Sequence, residues 1–179
     1  MSGTDPVPDI DDSSIFPDDI GRRIVFLGKE ALLARLSNQR HTASEHVVDR
    51  FFDLSRKRAY YYTDVYVLAE VLATVRSGAS AAQAVSVFED AKDSDIGVLH
   101  GGSDWAETHL QQSPKDVIEA AMELIGASEG QNVKFNEATL VLQAMAAENG
   151  CVFSFDSDLR SLARSRDVET MPYEDGCWL

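Results

Sequence analysis

Four carboxylates hold the positions from which this chain could do chemistry. Glu70 falls in the helix after an aromatic strand, Glu137 opens the helix before a late apolar strand, and Asp156 and Asp158 follow that strand in Ser154-Phe155-Asp156-Ser157-Asp158. In an open α/β sheet the active site lies beyond the carboxyl ends of the strands, where all four would stand. Carboxylates gathered at one sheet edge repel each other and raise one another's pKa, a cost that a divalent cation offsets. The ligand implied is Mg²⁺ or Mn²⁺.

Each acid also has a plainer use. Glu70 lies among Leu68, Ala69, Val71 and Leu72, which argues against a solvated face and leaves a site role or a buried acid paired with an arginine. Asp156 and Asp158 are of the type that caps a helix start, as is Asp64 after Thr63. His100, Asp104, Glu107 and His109 lack a metal-ligand spacing and are read as ordinary surface residues. Arg50, Arg56, Lys57 and Arg58 form the densest basic cluster, in front of Tyr60 to Tyr62, which are read as strand core; Arg160, Arg164 and Arg166 lie just beyond Asp158. Arg160 and Arg164 are the cations nearest the acids and the candidates for holding a phosphate.

Strands and helices in alternation must position these residues. Ile24 to Leu27 is a short β-type run, followed by Ala31, Leu32, Leu33 and Leu36 at helical spacing; Val47 to Leu54 is an amphipathic helix, and Tyr60-Tyr61-Tyr62 a second strand. Val65 to Val75 and Ala84 to Phe88 continue as helices, Ile96 to Leu99 is strand three, and Trp105 to Gln112 and Pro114 to Ala127 are helices, the latter with proline at its first position. A stripe of Leu140, Val141, Ala144 and Met145 predicts a helix ending at Asn149-Gly150; Cys151 to Phe155 is strand four, a short helix begins at Leu159, and a last extended segment lies near Val168 to Tyr173. Such alternation is the mark of a parallel sheet with crossover helices.

The chain has 179 residues, 44% of them hydrophobic and 26% charged, as expected of one globular domain. Residues 1–20 are acidic and poor in apolar side chains and read as a disordered tail before a domain over 21–179. No run reaches the ~18 apolar residues of a membrane span. The acidic start has no apolar signal core, so a cytoplasmic location is expected. Two cysteines are too few for a disulfide framework. The net charge of −14 argues against a broad electrostatic grip on nucleic acid and, with aspartate exceeding glutamate and arginine exceeding lysine, is compatible with a salt-rich, halophilic cytoplasm.

Ala59 to Leu72 (AYYYTDVYVLAEVL), Val133 to Gly150 (VKFNEATLVLQAMAAENG) and Cys151 to Leu159 (CVFSFDSDL), taken in this order, resemble the PIN-domain nucleases, VapC-type toxins among them. The resemblance covers roughly Arg22 to Tyr173. It implies a three-layer α/β/α fold with a central parallel five-stranded sheet and a Mg²⁺- or Mn²⁺-dependent ribonuclease centre. On that reading Glu70, Glu137 and Asp156 are catalytic metal-binding acids supported by Asp158. Two positions depart from the family's pattern. Gly28 stands where the family carries its first metal-binding Asp, and Glu137 replaces an Asp. Glu30, two residues beyond Gly28, is the candidate substitute, its other role being an acid favoured by the helix dipole. Lys29 would compete with a metal for the carboxylates or serve in its place.

The resemblance therefore implies an endoribonuclease acting on RNA, with a small antitoxin-like partner and possible homodimerisation. With Gly28 in the first position, the alternative is a catalytically degenerate PIN-fold protein that binds RNA or protein. A third expectation, from outside this class, is a structural protein whose acids are caps and surface residues.

Overall fold

The structure is a computed structural model that describes residues 23–36, 48–49, 52, 59–99, 114–128, 131–147 and 149–172. The acidic segment 1–20, the Trp105 to Gln112 helix, most of the Val47 to Leu54 helix, and Arg50, Arg56 to Arg58, His100, Asp104, Glu107 and His109 lie outside the described residues.

Five strands form one parallel sheet: β1 (Arg23–Leu27), β2 (Ala59–Asp64), β3 (Ile96–Leu99), β4 (Gly150–Phe153) and β5 (Glu169–Met171), in the order β3-β2-β1-β4-β5. The helices are α1 (Lys29–Leu36), α2 (Val65–Gly78), α3 (Ala81–Asp93), α4 (Pro114–Gly126), α5 (Phe135–Ala146) and α6 (Ser157–Arg164). This is the three-layer α/β/α arrangement with a central five-stranded sheet. From β1 the chain steps outward through β2 to β3, then crosses to β4 on the other side of β1 and steps out again to β5. Right-handed crossovers in opposite directions place their helices on opposite faces. The reversal falls between β1 and β4, where such sheets open a crevice.

Burial explains the strand sequences. Val25, Phe26 and Leu27 of β1 and Cys151, Val152 and Phe153 of β4 are fully buried, as continuous apolar runs in a sheet covered on both faces must be. Val25 pairs with Tyr61 on one side and Cys151 on the other. The tyrosines of β2 alternate: Tyr61 is buried against Phe52, 4.3 Å between ring centroids, whereas Tyr60 is exposed. Tyr60 is therefore not core. Thr63 at the end of β2 donates from Oγ1 to the Leu27 carbonyl at 3.0 Å and ties the carboxyl ends of β1 and β2 together.

Helix α5 is the least solvated of the described helices. Besides Ala138, Leu140, Val141 and Ala144 it buries Asn136, Glu137, Thr139 and Gln143, so each polar group needs an internal partner. The helix ends at Ala146, before Asn149-Gly150. Asn149 takes a positive φ of 58° to turn the chain, while Gly150 is already the first residue of β4. A Cβ on Gly150 would lie 2.2 Å from the Ala144 carbonyl oxygen, so glycine is required there by close approach. Strand β4 stops at Phe153, short of Phe155, because the Ser154 hydroxyl accepts from the Asp156 N–H at 3.0 Å and turns the chain into α6. Among the described residues no helix is long and apolar enough to cross a membrane.

Candidate functional site

The rim above β1, β2 and β4 is built from the first residues of α1, the second turn of α2, the first turn of α5 and the turn into α6. Gly28 continues β1, its N–H donating to Phe153 O at 2.9 Å and its carbonyl accepting from Leu32 N at 3.1 Å. It thus links the last sheet bond of β1 to the first turn of α1. A Cβ at Gly28 would meet Cβ and Oγ of Ser154 at 3.1 Å and Cδ2 of Leu159 at 3.3 Å.

Glu70 is half-buried and engaged on both oxygens. Oε1 lies 2.9 Å from the ammonium of Lys29, and Oε2 accepts from the side-chain amide of Asn136. The arginine partner that a buried-acid role would require is replaced by a lysine and an asparagine. Lys29 was legible as a cation beside the carboxylates, though not as the partner of Glu70 in particular; Asn136 was not legible, because it arrives from an element 66 residues away.

Glu137 sits in the third position of α5, its side chain almost wholly buried. Its Oε2 accepts from the Lys134 N–H at 2.9 Å, as the acid of a capping box does, and its Oε1 lies 3.4 Å from Lys134 Nζ. Burial raises the Glu137 pKa and Asp156 adds to the rise, while the Lys134 N–H and ammonium oppose both. Burial works to lower the Lys134 pKa, but Glu137, then Glu70 and Asp156, leave it raised overall. Lys134 thus stands in the field of all three acids. Its signal in sequence was a basic residue three positions before Glu137, where a helix start normally carries a small polar one.

Asp156 is the N-cap of α6. Its Oδ1 accepts from Asp158 N at 2.8 Å and Leu159 N at 3.0 Å. Asp158 is a first-turn acid of the same helix and Glu30 a first-turn acid of α1; Glu30 shares a small cleft with Gly28, Lys29, Lys134, Asn136 and Glu137. Asp64 is the N-cap of α2, accepting from Tyr66 N at 2.6 Å and from the Gln143 side-chain amide.

The two arginines placed near the acids hold the segments around β5, Arg160 through backbone carbonyls and Arg164 through a side chain. Arg160 is buried, donating from Nη1 to Ser154 O at 3.1 Å and from Nη2 to Pro172 O at 2.5 Å. Arg164 donates from Nε to Thr170 Oγ1 at 3.0 Å. Arg160 ties α6 to the chain leaving β4 and β5, and Arg164 ties α6 to β5.

A divalent cation of the Mg²⁺ or Mn²⁺ type needs several oxygen ligands converging within ~2.0–2.6 Å of one point. Here both oxygens of Glu70, one of Glu137 and one of Asp156 already accept from protein donors, the other Glu137 oxygen faces the Lys134 ammonium at 3.4 Å, and Gly28 brings no side chain. Among the described residues no three His, Cys, Asp or Glu side chains are grouped as a metal set. The donor set does not fit a divalent cation while the lysines hold these positions.

No family model and no curated protein matches the sequence. Among solved structures, the fold is similar to that of VapC20 of Mycobacterium tuberculosis, described as a Sarcin-Ricin loop cleaving toxin, with 17% identity and a TM-score of 0.57 over 76% of this chain and 93% of that one. At that identity the likeness concerns architecture. The fold of this chain is the PIN-like α/β/α fold.

Proposed function

We propose that this chain is a catalytically degenerate PIN-fold protein whose rim binds a cationic protein segment, the chemistry expected of an antitoxin-like partner, and does not cleave RNA. One observation carries this reading: the oxygens of Glu70 and Glu137 are taken by Lys29, Asn136 and Lys134, beside a glycine that brings no carboxylate. Charge selects the partner. Glu30, Glu70, Glu137, Asp156 and Asp158 still outnumber Lys29 and Lys134, and the chain carries −14 overall, so a phosphate backbone is repelled and a basic segment attracted.

A second reading, a metal-dependent endoribonuclease with the role of a toxin, is favoured by Glu70, Glu137 and Asp156 each working to raise the Lys134 pKa. It is also supported by the likeness to VapC20, whose name makes it a Sarcin-Ricin loop cleaving toxin. The test is to incubate the protein with a labelled RNA hairpin and a single-stranded RNA, with and without MnCl₂, and to measure binding of a labelled arginine-rich peptide alongside. Intact RNA and salt-sensitive peptide binding weakened by Glu137→Gln are expected. Mn²⁺-dependent cleavage that disappears in Glu70→Gln would establish the second reading instead.

A further inference from the structure

Three carboxylates at one rim need positive charge, and this chain supplies it from its own side chains. Lys29 reaches Glu70 from the first turn of α1, and Lys134 reaches Glu137 while standing in the field of Glu70 and Asp156. Two ammonium groups carry the same charge as one divalent cation. Their placement is also complementary: Lys29 follows directly on Gly28, at the carboxyl end of β1, so the chain leaving β1 brings a cation onto Glu70, with Glu30 the next residue in the same cleft.

The two pairs differ in how firmly they are built. Lys29 and Glu70 have side chains only 25% and 29% exposed, whereas Lys134 is 47% exposed. Asn136, buried in α5, fixes the second oxygen of Glu70. Glu70 is therefore oriented by one cationic and one neutral donor from two different elements, a more specific arrangement than a solvated surface pair.

We infer that Lys29 and Lys134 are built-in counter-ions that stand in for a divalent cation, leaving the rim complete without metal, and that any such cation must displace Lys29 from Glu70. This deepens the metal-free binding reading by naming what holds the site in its working state.

Thermal melts in a MnCl₂ titration, at constant ionic strength set with KCl, test it without RNA or peptide. Failure here is thus distinguishable from failure of the proposed partner binding. The wild-type melting temperature is expected to be unmoved by EDTA and nearly insensitive to Mn²⁺. Lys29→Met keeps the apolar stem and removes the charge. It is expected to melt lower in EDTA and to recover with Mn²⁺ at a concentration at least about tenfold below any wild-type response, as a ligand binding only the folded state must produce. Lys29→Arg retains the cation and should behave as wild type, and Glu70→Gln added to Lys29→Met should abolish the Mn²⁺ recovery. The same Mn²⁺ midpoint in wild type and Lys29→Met, or no response in either, would overturn the inference. Should Lys29→Met fail to fold, electron paramagnetic resonance of Mn²⁺ with wild-type protein decides. A free-ion spectrum supports the inference and a bound one overturns it.

Discussion

The ammonium of Lys29 and Oε1 of Glu70 lie 2.9 Å apart, joining the start of α1 to the second turn of α2 across 41 residues of sequence. Asn136 completes the arrangement on the other oxygen. Because Lys29 and Asn136 share a partner, their contributions should not be additive. Asn136→Ala leaves Glu70 Oε2 without its donor and is expected to cost about 1–2 kcal/mol. Made together with Lys29→Met, it should show a coupling of about 0.5 kcal/mol or more, measured by urea unfolding of the four proteins. A cycle that closes additively would mean that the two donors act on Glu70 independently.

Arg160 illustrates how position in sequence misleads about role. It follows Asp158 closely and carries the right charge for a phosphate, but Leu159, Leu162 and Ala163 bury α6 against the sheet, and the guanidinium turns to the backbone carbonyls of Ser154 and Pro172. Arg160→Ala is expected to lower stability by about 2–4 kcal/mol, since it strands one buried and one partly buried acceptor that had a charged donor. Ligand affinity of the folded fraction should stay unchanged. Full stability with weakened binding, measured by urea unfolding and titration of the labelled peptide, would restore a surface role to this arginine.

The sheet was legible because its signals are local. Four of five strands are apolar or aromatic runs of four to six residues, and the order of elements limits how they can be wound. The acids of the rim were legible as well, since each stands after a strand or at a helix start. Their partners were legible only in part. Lys29 stood out beside Gly28 as a cation able to take a metal's place, but Lys134 and Asn136 serve as solvated or capping residues in most sequences, and only the packing of α1, α2 and α5 above the strand ends brings them onto Glu70 and Glu137. Gln143 is the same case, a polar residue inside an apolar stripe whose reason is Asp64, 79 positions earlier.

At Gly28 the limit on substitution is space. A Cβ there would press on Ser154 at 3.1 Å and Leu159 at 3.3 Å, and Ser154 cannot yield freely because its hydroxyl holds the Asp156 N–H and its own N–H donates to Met171 O at 2.9 Å. Gly28→Ala is expected to cost about 1–3 kcal/mol by overpacking alone. Gly28→Asp adds a carboxylate to a rim already rich in them and should cost more in EDTA. Melts of both variants separate the two effects: MnCl₂ should recover part of the loss in Gly28→Asp and none in Gly28→Ala. Equal stability of the two variants in EDTA, with no Mn²⁺ effect on either, would show that position 28 does not face the acids.

Asp64 couples the fold to pH. It is fully buried at the start of α2, and burial pushes its pKa up to about 6, against the opposing hydrogen bonds from Tyr66, Thr139, Gln143 and Val67. An acid whose folded pKa lies above its unfolded value, about 3.9, binds protons more tightly when folded. Below about pH 4 it is neutral in both states and costs nothing. Between about 4 and 6 the unfolded chain ionises first, so this residue's contribution to stability declines as pH rises and the full cost is present above about 6. At ~1.4 kcal/mol per pKa unit the decline is roughly 2–3 kcal/mol. Asp64→Asn removes it while keeping a good N-cap. The substitution is accommodated by Gln143, whose buried Oε1 has no hydrogen-bond partner among the described residues and can accept from the new amide once its own amide turns over. Urea midpoints from pH 4 to 7 should therefore show wild-type stability falling relative to Asp64→Asn by that amount, with the titration of Glu137 and Lys134 common to both proteins and cancelling in the difference. Parallel curves for the two proteins would mean that the Asp64 carboxylate is solvated well enough to ionise without cost, and that the Gln143 contact is not what holds it.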